Sequence, residues 1–256
     1  MSLAADPRAT RRYDGESVEA LAERWQLPAV YAYDAVGSTL DVAHALAPTA
    51  ASGTLVIADE QTAGRGRHGR RWTSQPGAGL WLTLIERPSD ARSLDVLSLR
   101  CGLNAAEALD DLAGVHVRVK WPNDLYAGDC KLAGILIETR WRGTAPEWVA
   151  IGFGLNVIAP DVATAAGLLT GTTRLAALDR VVPALRLAAS SSRHLSEREL
   201  SRWRARDLAV GRDVAEPAAG LVQGISAAGE LLLASDGRVT AHRSGSLTFA
   251  APLSCS

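Results

Sequence analysis

The sequence predicts an α+β chain, with strands and helices interspersed over residues 1–207 and a small all-β unit over 208–256. Three observations lead there. Apolar runs of strand length fall at 30–33, 54–58, 80–85, 115–119 and 148–154. Helical periodicity covers 16–26, 40–46, 92–112, 174–190 and 196–209. Beyond Gly211 the texture changes to short alternating strands at 221–225, 230–234, 238–242 and 246–249, parted by turns at Ala228-Gly229 and Asp236-Gly237. About 45 residues of that texture suit a small antiparallel barrel that leans on the larger unit, because so short a segment buries little core alone.

Each element has a local justification. Val18, Leu21 and Trp25 stand near helical spacing in the first helix, which lacks the second helix a DNA-reading helix-turn-helix needs. Gly37-Ser38-Thr39 precedes the 40–46 helix, where either hydroxyl can cap the helix or face a ligand. Leu94, Leu97, Leu103, Ala106 and Leu109 give 92–112 one apolar face. Strand 115–119 delivers Lys120-Trp121-Pro122-Asn123-Asp124, a corner that presents polar groups because Pro122 cannot donate to a ladder. Gly128-Asp129 reads as a hairpin turn, and the returning strand begins with Lys131. Strand 148–154 runs into Gly152-Phe153-Gly154-Leu155-Asn156. No helix opens after those glycines, so they suit close approach of a backbone or ligand better than a dinucleotide fold. Ser196 and Glu199 have capping-box spacing at the head of the last helix, which stops before Gly211.

Composition narrows the function classes. A chain of 256 residues, 47% hydrophobic, buries one substantial core and a satellite. Its 27 cationic and 28 acidic side chains give a net charge of -1, so no global attraction to nucleic acid or anionic membrane follows. No apolar run approaches the roughly 18 residues that span a bilayer. Residues 1–12 are polar and basic, without the apolar stretch of a secretory signal. The three cysteines, Cys101, Cys130 and Cys255, lack metal-ligand spacing and read as reduced thiols, which places the chain in the cytoplasm. Only Lys120 and Lys131 among the cationic residues are lysines, and both fall in one short segment. A compact ammonium there differs in kind from the planar forks used elsewhere.

The most chemically loaded stretch is Gly64-Arg65-Gly66-Arg67-His68-Gly69-Arg70-Arg71-Trp72. Its alternating glycines fit neither helix nor strand and predict a loop that is mobile without ligand. Guanidinium forks and bare amides in one loop suit a polyanion such as phosphate. Asn123 and Asn156 can hydrogen-bond base, ribose or phosphate, Asp124 can hold magnesium or orient Lys120, and Trp72 and Trp121 offer stacking faces. No nucleophile with an adjacent base is evident, which favours direct transfer between bound substrates.

The motifs GRGRHGRRW, KWPNDL, KLAGIL and GFGLN, in this order, resemble the biotin protein ligase family from about residue 30 into the C-terminal unit. The resemblance implies a mixed β-sheet flanked by helices, of class II synthetase-like biotin/lipoate ligase type, with a small C-terminal SH3-like β-barrel. It implies an ATP-dependent ligase that joins biotin to ATP as biotinyl-5′-AMP, with Mg2+. The enzyme then passes biotin to one lysine on the biotin carboxyl carrier domain of an acyl-CoA carboxylase. By motif position, Ser38, Thr39, Leu40, Gln61, Gly64, Arg65, Gly66, Arg67, Lys131, Gly134 and Gly152 would surround biotin. Arg67, Arg70, Trp72, Asn123, Lys131 and Asn156 would face ATP. Lys131, Arg67 and Asp124 would carry the chemistry, with Asp124 also the candidate magnesium ligand. His68 stands where arginine is usual, and Leu40 where asparagine is frequent. Fewer than 40 residues precede Ser38-Thr39, short of a winged helix-turn-helix. The expectation is therefore a monofunctional ligase without specific DNA binding or membrane attachment, a monomer or weak homodimer. Two alternatives stand beside it: a lipoate–protein ligase, which shares the fold and adenylate logic, and an RNA-binding module using the arginine-glycine loop. Near-zero net charge and 5% aromatics argue against the second.

Overall fold

A computed structural model describes residues 9–189 and 193–255. The reading of residues 1–8 and of residue 190 as the end of a helix lies outside the described residues. In chain order the elements are β1 (Arg12–Tyr13), β2 (Glu16–Ser17), α1 (Val18–Arg24), β3 (Val30–Val36), α2 (Thr39–Leu46), β4 (Thr54–Gln61) and β5 (Gly79–Glu86). There follow α3 (Leu97–Ala113), β6 (Arg118–Lys120), β7 (Asp124–Ala127), β8 (Cys130–Arg142), β9 (Ala145–Asn156), α4 (Arg174–Ala189) and α5 (Glu197–Arg206). The last strands are β10 (Asp213–Glu216), β11 (Gly220–Ile225), β12 (Leu231–Ser235), β13 (Arg238–His242) and β14 (Thr248–Phe249).

A seven-stranded sheet runs β3-β4-β5-β9-β8-β7-β6. β3 and β4 are parallel, joined by the α2 crossover, and every other pairing is antiparallel, so the sheet is mixed. Strand alternation divides its apolar side chains between two faces. Leu55, Ile57, Leu80, Leu82 and Leu84 join α1, α3 and α4 in the larger core. Val56, Ala58 and Ile85 pack instead with Val42, Ala43 and Ala47 of α2. Thr83 is a polar residue completely buried on the α2 face.

The remaining strands form a five-stranded antiparallel sheet, ordered β13-β12-β11-β10-β14. Among the described residues no ladder joins β13 to β14. Contacts between this C-terminal unit and the larger one include the Trp121 Nε1–H donating to Gly229 O at 3.0 Å and Leu208 N–H, ahead of β10, donating to Val119 O at 2.9 Å.

Several elements differ from the sequence reading for local reasons. The predicted 92–112 helix begins as a 3-10 turn, Ala91–Val96, capped by the Asp90 side chain, and becomes α-helical only at Leu97. β6 starts at Arg118 rather than 115 because Val117 N–H is taken by the Asp110 carboxylate at 2.8 Å. β8 and β9 outrun their apolar segments, since each supplies the other's ladder through the exposed Arg142 and Ala145. The capping box at Ser196 and Glu199 forms as predicted.

One expectation is corrected. Cys130, at the start of β8, is joined to Cys255 by a disulfide, so these two are not reduced thiols. They lie 125 residues apart, and only folding brings their Cα atoms to 5.0 Å, so spacing carried no signal. Cys101 remains a free thiol in α3, where burial pushes its pKa up and leaves it inert. No helix among the described residues is long and apolar enough to cross a membrane.

Candidate active site

On the α2 face of the large sheet, a cleft holds about 930 Å³ of space between the α2 N-terminus, the strand faces of β8 and β9, the cationic loop and the C-terminal sheet. The 64–72 loop folds over it as a tight excursion of its own. Gly66 N–H donates to Arg70 O at 2.7 Å, Trp72 N–H donates to Gly64 O at 2.9 Å, and His68 takes a left-handed φ of 56°. Gly64 is buried, and any Cβ there would stand 2.6 Å from the Trp72 carbonyl oxygen, so only glycine fits the crossing.

One end of the cleft is neutral and polar. Thr39, at the first turn of α2, donates through its backbone N–H to Gln61 Oε1 at 2.9 Å and through its hydroxyl to the same oxygen at 3.1 Å. Thr83 donates to Thr39 Oγ1 at 2.9 Å, and Gln61 Nε2 donates to Ser74 Oγ at 3.3 Å. Ser38 caps the helix, accepting from Leu40 N–H at 3.3 Å. Ser38, Thr39, Thr83 and Ser74 are all buried, so this chain of hydrogen bonds is fixed before any ligand arrives. Leu40 packs over Gly152, where an added Cβ would come within 3.2 Å of it.

The other end is cationic. Lys131 on β8 places its Nζ 2.8 Å from Asp124 Oδ1 and 5.3 Å from the Trp72 ring centroid. Arg67 reaches across the cleft and donates to Asn123 Oδ1 at 3.2 Å and to Gly245 O, in the loop between β13 and β14, at 3.0 Å. Burial lowers the Arg67 pKa, Asp124 opposes that and Arg70 adds to it. Asn123 is held at both ends of its amide, since its Nδ2 donates to Ile135 O at 2.8 Å. Trp72 lies on a bed of glycines: a Cβ at Gly154 or Gly134 would stand 2.8 Å or 3.0 Å from its ring. Its Nε1–H is buried against the Gly154 backbone without a hydrogen-bond partner among the described residues.

The structure brings most of the predicted site residues together. Ser38, Thr39, Leu40, Gln61, Gly134 and Gly152 line the cleft, as do Arg65, Gly66, Arg67, Arg70 and Trp72, with Asn123, Asp124 and Lys131. Two do not. Gly64 lies beneath the loop, and Asn156 turns its amide inward to donate to Ala166 O at 3.1 Å and Lys131 O at 3.4 Å. Arg65 lines the rim but spends its guanidinium on Asp41 at 2.8 Å and Glu138 at 3.3 Å. The sequence reading missed Thr83 and Ser74, polar residues next to apolar strands. It also missed Ser246 and Leu247, which arrive from the far sheet and carry no motif. Lys120 lines the cleft too, and its rarity as a lysine was its signal.

The donor set does not fit a protein cage for magnesium. Among the described residues no cluster of three His, Cys, Asp or Glu side chains could hold a metal ion, and Asp124, the one carboxylate lining the cleft, is engaged by Lys131.

Comparison with known proteins agrees with this geometry. The model of the Biotin/lipoate A/B protein ligase family matches residues 36–156. The Bifunctional ligase/repressor BirA of Bacillus subtilis is 41% identical over 127 residues, 49% of this chain but only 39% of that relative's length. The Biotin--[acetyl-CoA-carboxylase] ligase of Mycobacterium tuberculosis is 31% identical over 211 residues, covering 75% of this chain and 77% of that one. The structure of biotin protein ligase from Aquifex aeolicus in complex with biotin and ATP is similar at a TM-score of 0.70 and 28% identity, over 86% of this chain and 99% of that one. Motifs, sheet order and relatives converge: the chain belongs to the biotin/lipoate A/B protein ligase family, among the biotin protein ligases.

Proposed function

We propose that the protein is an ATP-dependent biotin–protein ligase that makes biotinyl-5′-AMP and transfers the biotinyl group to a lysine on the carrier domain of an acyl-CoA carboxylase. The observation that carries this reading is one cleft with a prebuilt neutral hydrogen-bonding end, Thr39–Gln61–Ser74, and a cationic end, Lys131 with Arg67. Uncharged donors and acceptors suit the ring system of biotin. The cations suit its carboxylate and the phosphates of ATP.

In the first step a biotin carboxylate oxygen bonds to the α-phosphorus while the bond to the bridging oxygen breaks, and pyrophosphate leaves with that electron pair. Two anions must meet, so the main task is electrostatic. Lys131, at the cationic end, lowers the repulsion between the two anions, while Arg67 holds the α-phosphate from the loop side. In the second step the carrier amine attacks the biotinyl carbonyl, expels AMP and loses a proton. The loop over the cleft holds water back from the mixed anhydride until then. Ser38, Thr39, Leu40, Gln61 and Gly152 would contact biotin, and Arg70, Trp72 and Asn123 would contact ATP. The Mycobacterium tuberculosis relative is named for an acetyl-CoA carboxylase acceptor, which supports the choice of carrier. Residues 1–207 are proposed as the catalytic domain and 208–256 as the C-terminal one, on the ground that β10 to β14 form their own sheet.

Intact-mass analysis of a biotin carboxyl carrier domain after incubation with the protein, biotin and MgATP tests this. The expected result is one added biotinyl group, dependent on both small molecules. A carrier left unlabelled with biotin but labelled with lipoate would overturn it.

A further inference from the structure

Lys120, at the end of β6, faces the same cleft, and the steps above leave it without a task. It is half-buried, with its Nζ 5.8 Å from the Tyr126 ring centroid and 5.5 Å from that of Phe249. Among the described residues it makes no ion pair with a carboxylate. Asp124 is its cross-strand neighbour, but that carboxylate sits against Lys131 Nζ. Lys120 is thus a cation turned toward a cleft, flanked by two aromatic faces and, among the described residues, without a carboxylate in ion-pair contact. Such faces compensate a desolvated ammonium less well than an anion does. Burial lowers its pKa, and Lys131 and Arg70 lower it further against the pull of Asp124. An arriving anion would oppose those influences, acting in the same sense as Asp124.

Strand order says which anion. Across the sheet Gln61 ends β4, Lys131 is on β8, and Lys120 is on β6, two strands beyond Lys131 on the side away from Gln61. At about 4.8 Å per strand, Lys120 stands roughly 10 Å across the sheet beyond β8, in the row of Gly134, three residues along that strand from Lys131. With biotin at the Gln61 end and the α-phosphate at Lys131, the part of ATP carrying further charge in that direction is its β,γ-diphosphate.

Resting on the ligase reading above, we propose that Lys120 binds the β- and γ-phosphates of ATP and the pyrophosphate they become, with Tyr126 and Phe249 holding its ammonium in place beforehand. It transfers no proton: the bridging oxygen leaves with its electron pair, and Lys120 donates hydrogen bonds to the departing anion. Its contribution is confined to adenylation, since no pyrophosphate is present when the carrier amine attacks the adenylate.

The test separates the two half-reactions. Lys120→Met keeps the apolar stem against both rings and removes the charge, while Lys120→Arg keeps a cation. Biotin-dependent ATP–pyrophosphate exchange is measured against MgATP and pyrophosphate. Transfer to the carrier is measured in single turnover from supplied biotinyl-5′-AMP. In Lys120→Met, the KM values for MgATP and pyrophosphate should rise about tenfold or more, the scale of one lost charge-assisted hydrogen bond, while transfer stays within about twofold. Lys120→Arg should recover most of the loss, and it carries the comparison with parental protein if Lys120→Met does not fold. Unchanged KM values in Lys120→Met, equal loss of both half-reactions, or an arginine variant as impaired in transfer as in exchange would each overturn the proposal in favour of a brace between the two sheets. Absence of biotin-dependent exchange in the parental protein would instead defeat the ligase reading itself.

Discussion

Gly134 and Gly154 lie directly opposite each other on β8 and β9, and together they form the floor on which the Trp72 indole rests. A methyl group at Gly154 would stand 2.8 Å from that ring, closer than real Cβ contacts allow. Gly154→Ala is therefore expected to fold, at a cost of about 1–3 kcal/mol, and to push Trp72 into the cleft. Exchange activity should fall about tenfold or more, with a shift in tryptophan fluorescence. Parental kinetics in the folded variant would mean that Trp72 has no part in shaping the site.

Lys131→Ala removes the ammonium proposed above to offset the two reacting anions and leaves Asp124 without its partner. Adenylation should drop about 100-fold to 1000-fold, the cost of deleting a preorganised electrostatic group. Pre-steady-state release of pyrophosphate reads that step directly. A folded variant that adenylates biotin at the parental rate would remove Lys131 from the mechanism.

The Cys130–Cys255 bond closes a segment of 125 residues. On the chain-entropy account, opening so long a loop costs about 5 kcal/mol, or roughly 15 °C in melting temperature for a chain of this size. Thermal melts with and without a thiol reductant should differ by that amount, and Cys255→Ser should melt like the reduced protein. Intact mass under non-reducing conditions checks the starting state: coincident melts together with two free thiols would contradict the bond.

Asp110 on α3 accepts from Arg206 Nη1 at 2.9 Å, Arg206 Nη2 at 2.7 Å and Val117 N–H at 2.8 Å, tying α5 and the start of β6 to α3. Burial pushes its pKa up, but the hydrogen bonds from Arg206 and Val117 outweigh burial, and the carboxyl titrates below the usual aspartate range. The unfolded carboxyl takes its proton first as pH falls. The stabilisation is thus complete above the ordinary value of about 3.9 and is lost as pH drops through the lower folded value. Asp110→Asn should cost about 1–3 kcal/mol at neutral pH, and the gap to parental protein in denaturant titrations should narrow below about pH 4. A gap of constant size down to acid unfolding would mean the charge is not what stabilises.

How much of this was legible in the sequence depends on how local each signal is. The 64–72 loop, the Lys120–Asp124 corner and the lysine opening β8 concentrate charge and glycine within a few residues, and the structure brings all three to one cleft. The glycines of β9 were legible as a place of close approach, though not what approaches, since Trp72 comes from a different loop. Thr83 was illegible because one hydroxyl inside Leu82-Thr83-Leu84 does not disturb an apolar strand pattern. Asn156 misled for the opposite reason. Its amide sits beside the site in sequence, but the 157–168 segment supplies a backbone acceptor, Ala166 O, that draws it inward. The disulfide and the Ser246–Leu247 wall depend on tertiary approach alone and left no local trace.

The hydrogen bond from Arg67 to Gly245 O spans 178 residues of chain. As the polypeptide is synthesised, the large sheet and its loop emerge long before the carbonyl that steadies the loop. On the proposed ligase reading, a partly made chain would have the parts to attract ATP but not the wall that keeps a reactive anhydride from water. Sealing of the reaction chamber is deferred until the far sheet has folded, and any fragment ending short of Gly245 should squander nucleotide rather than modify a carrier.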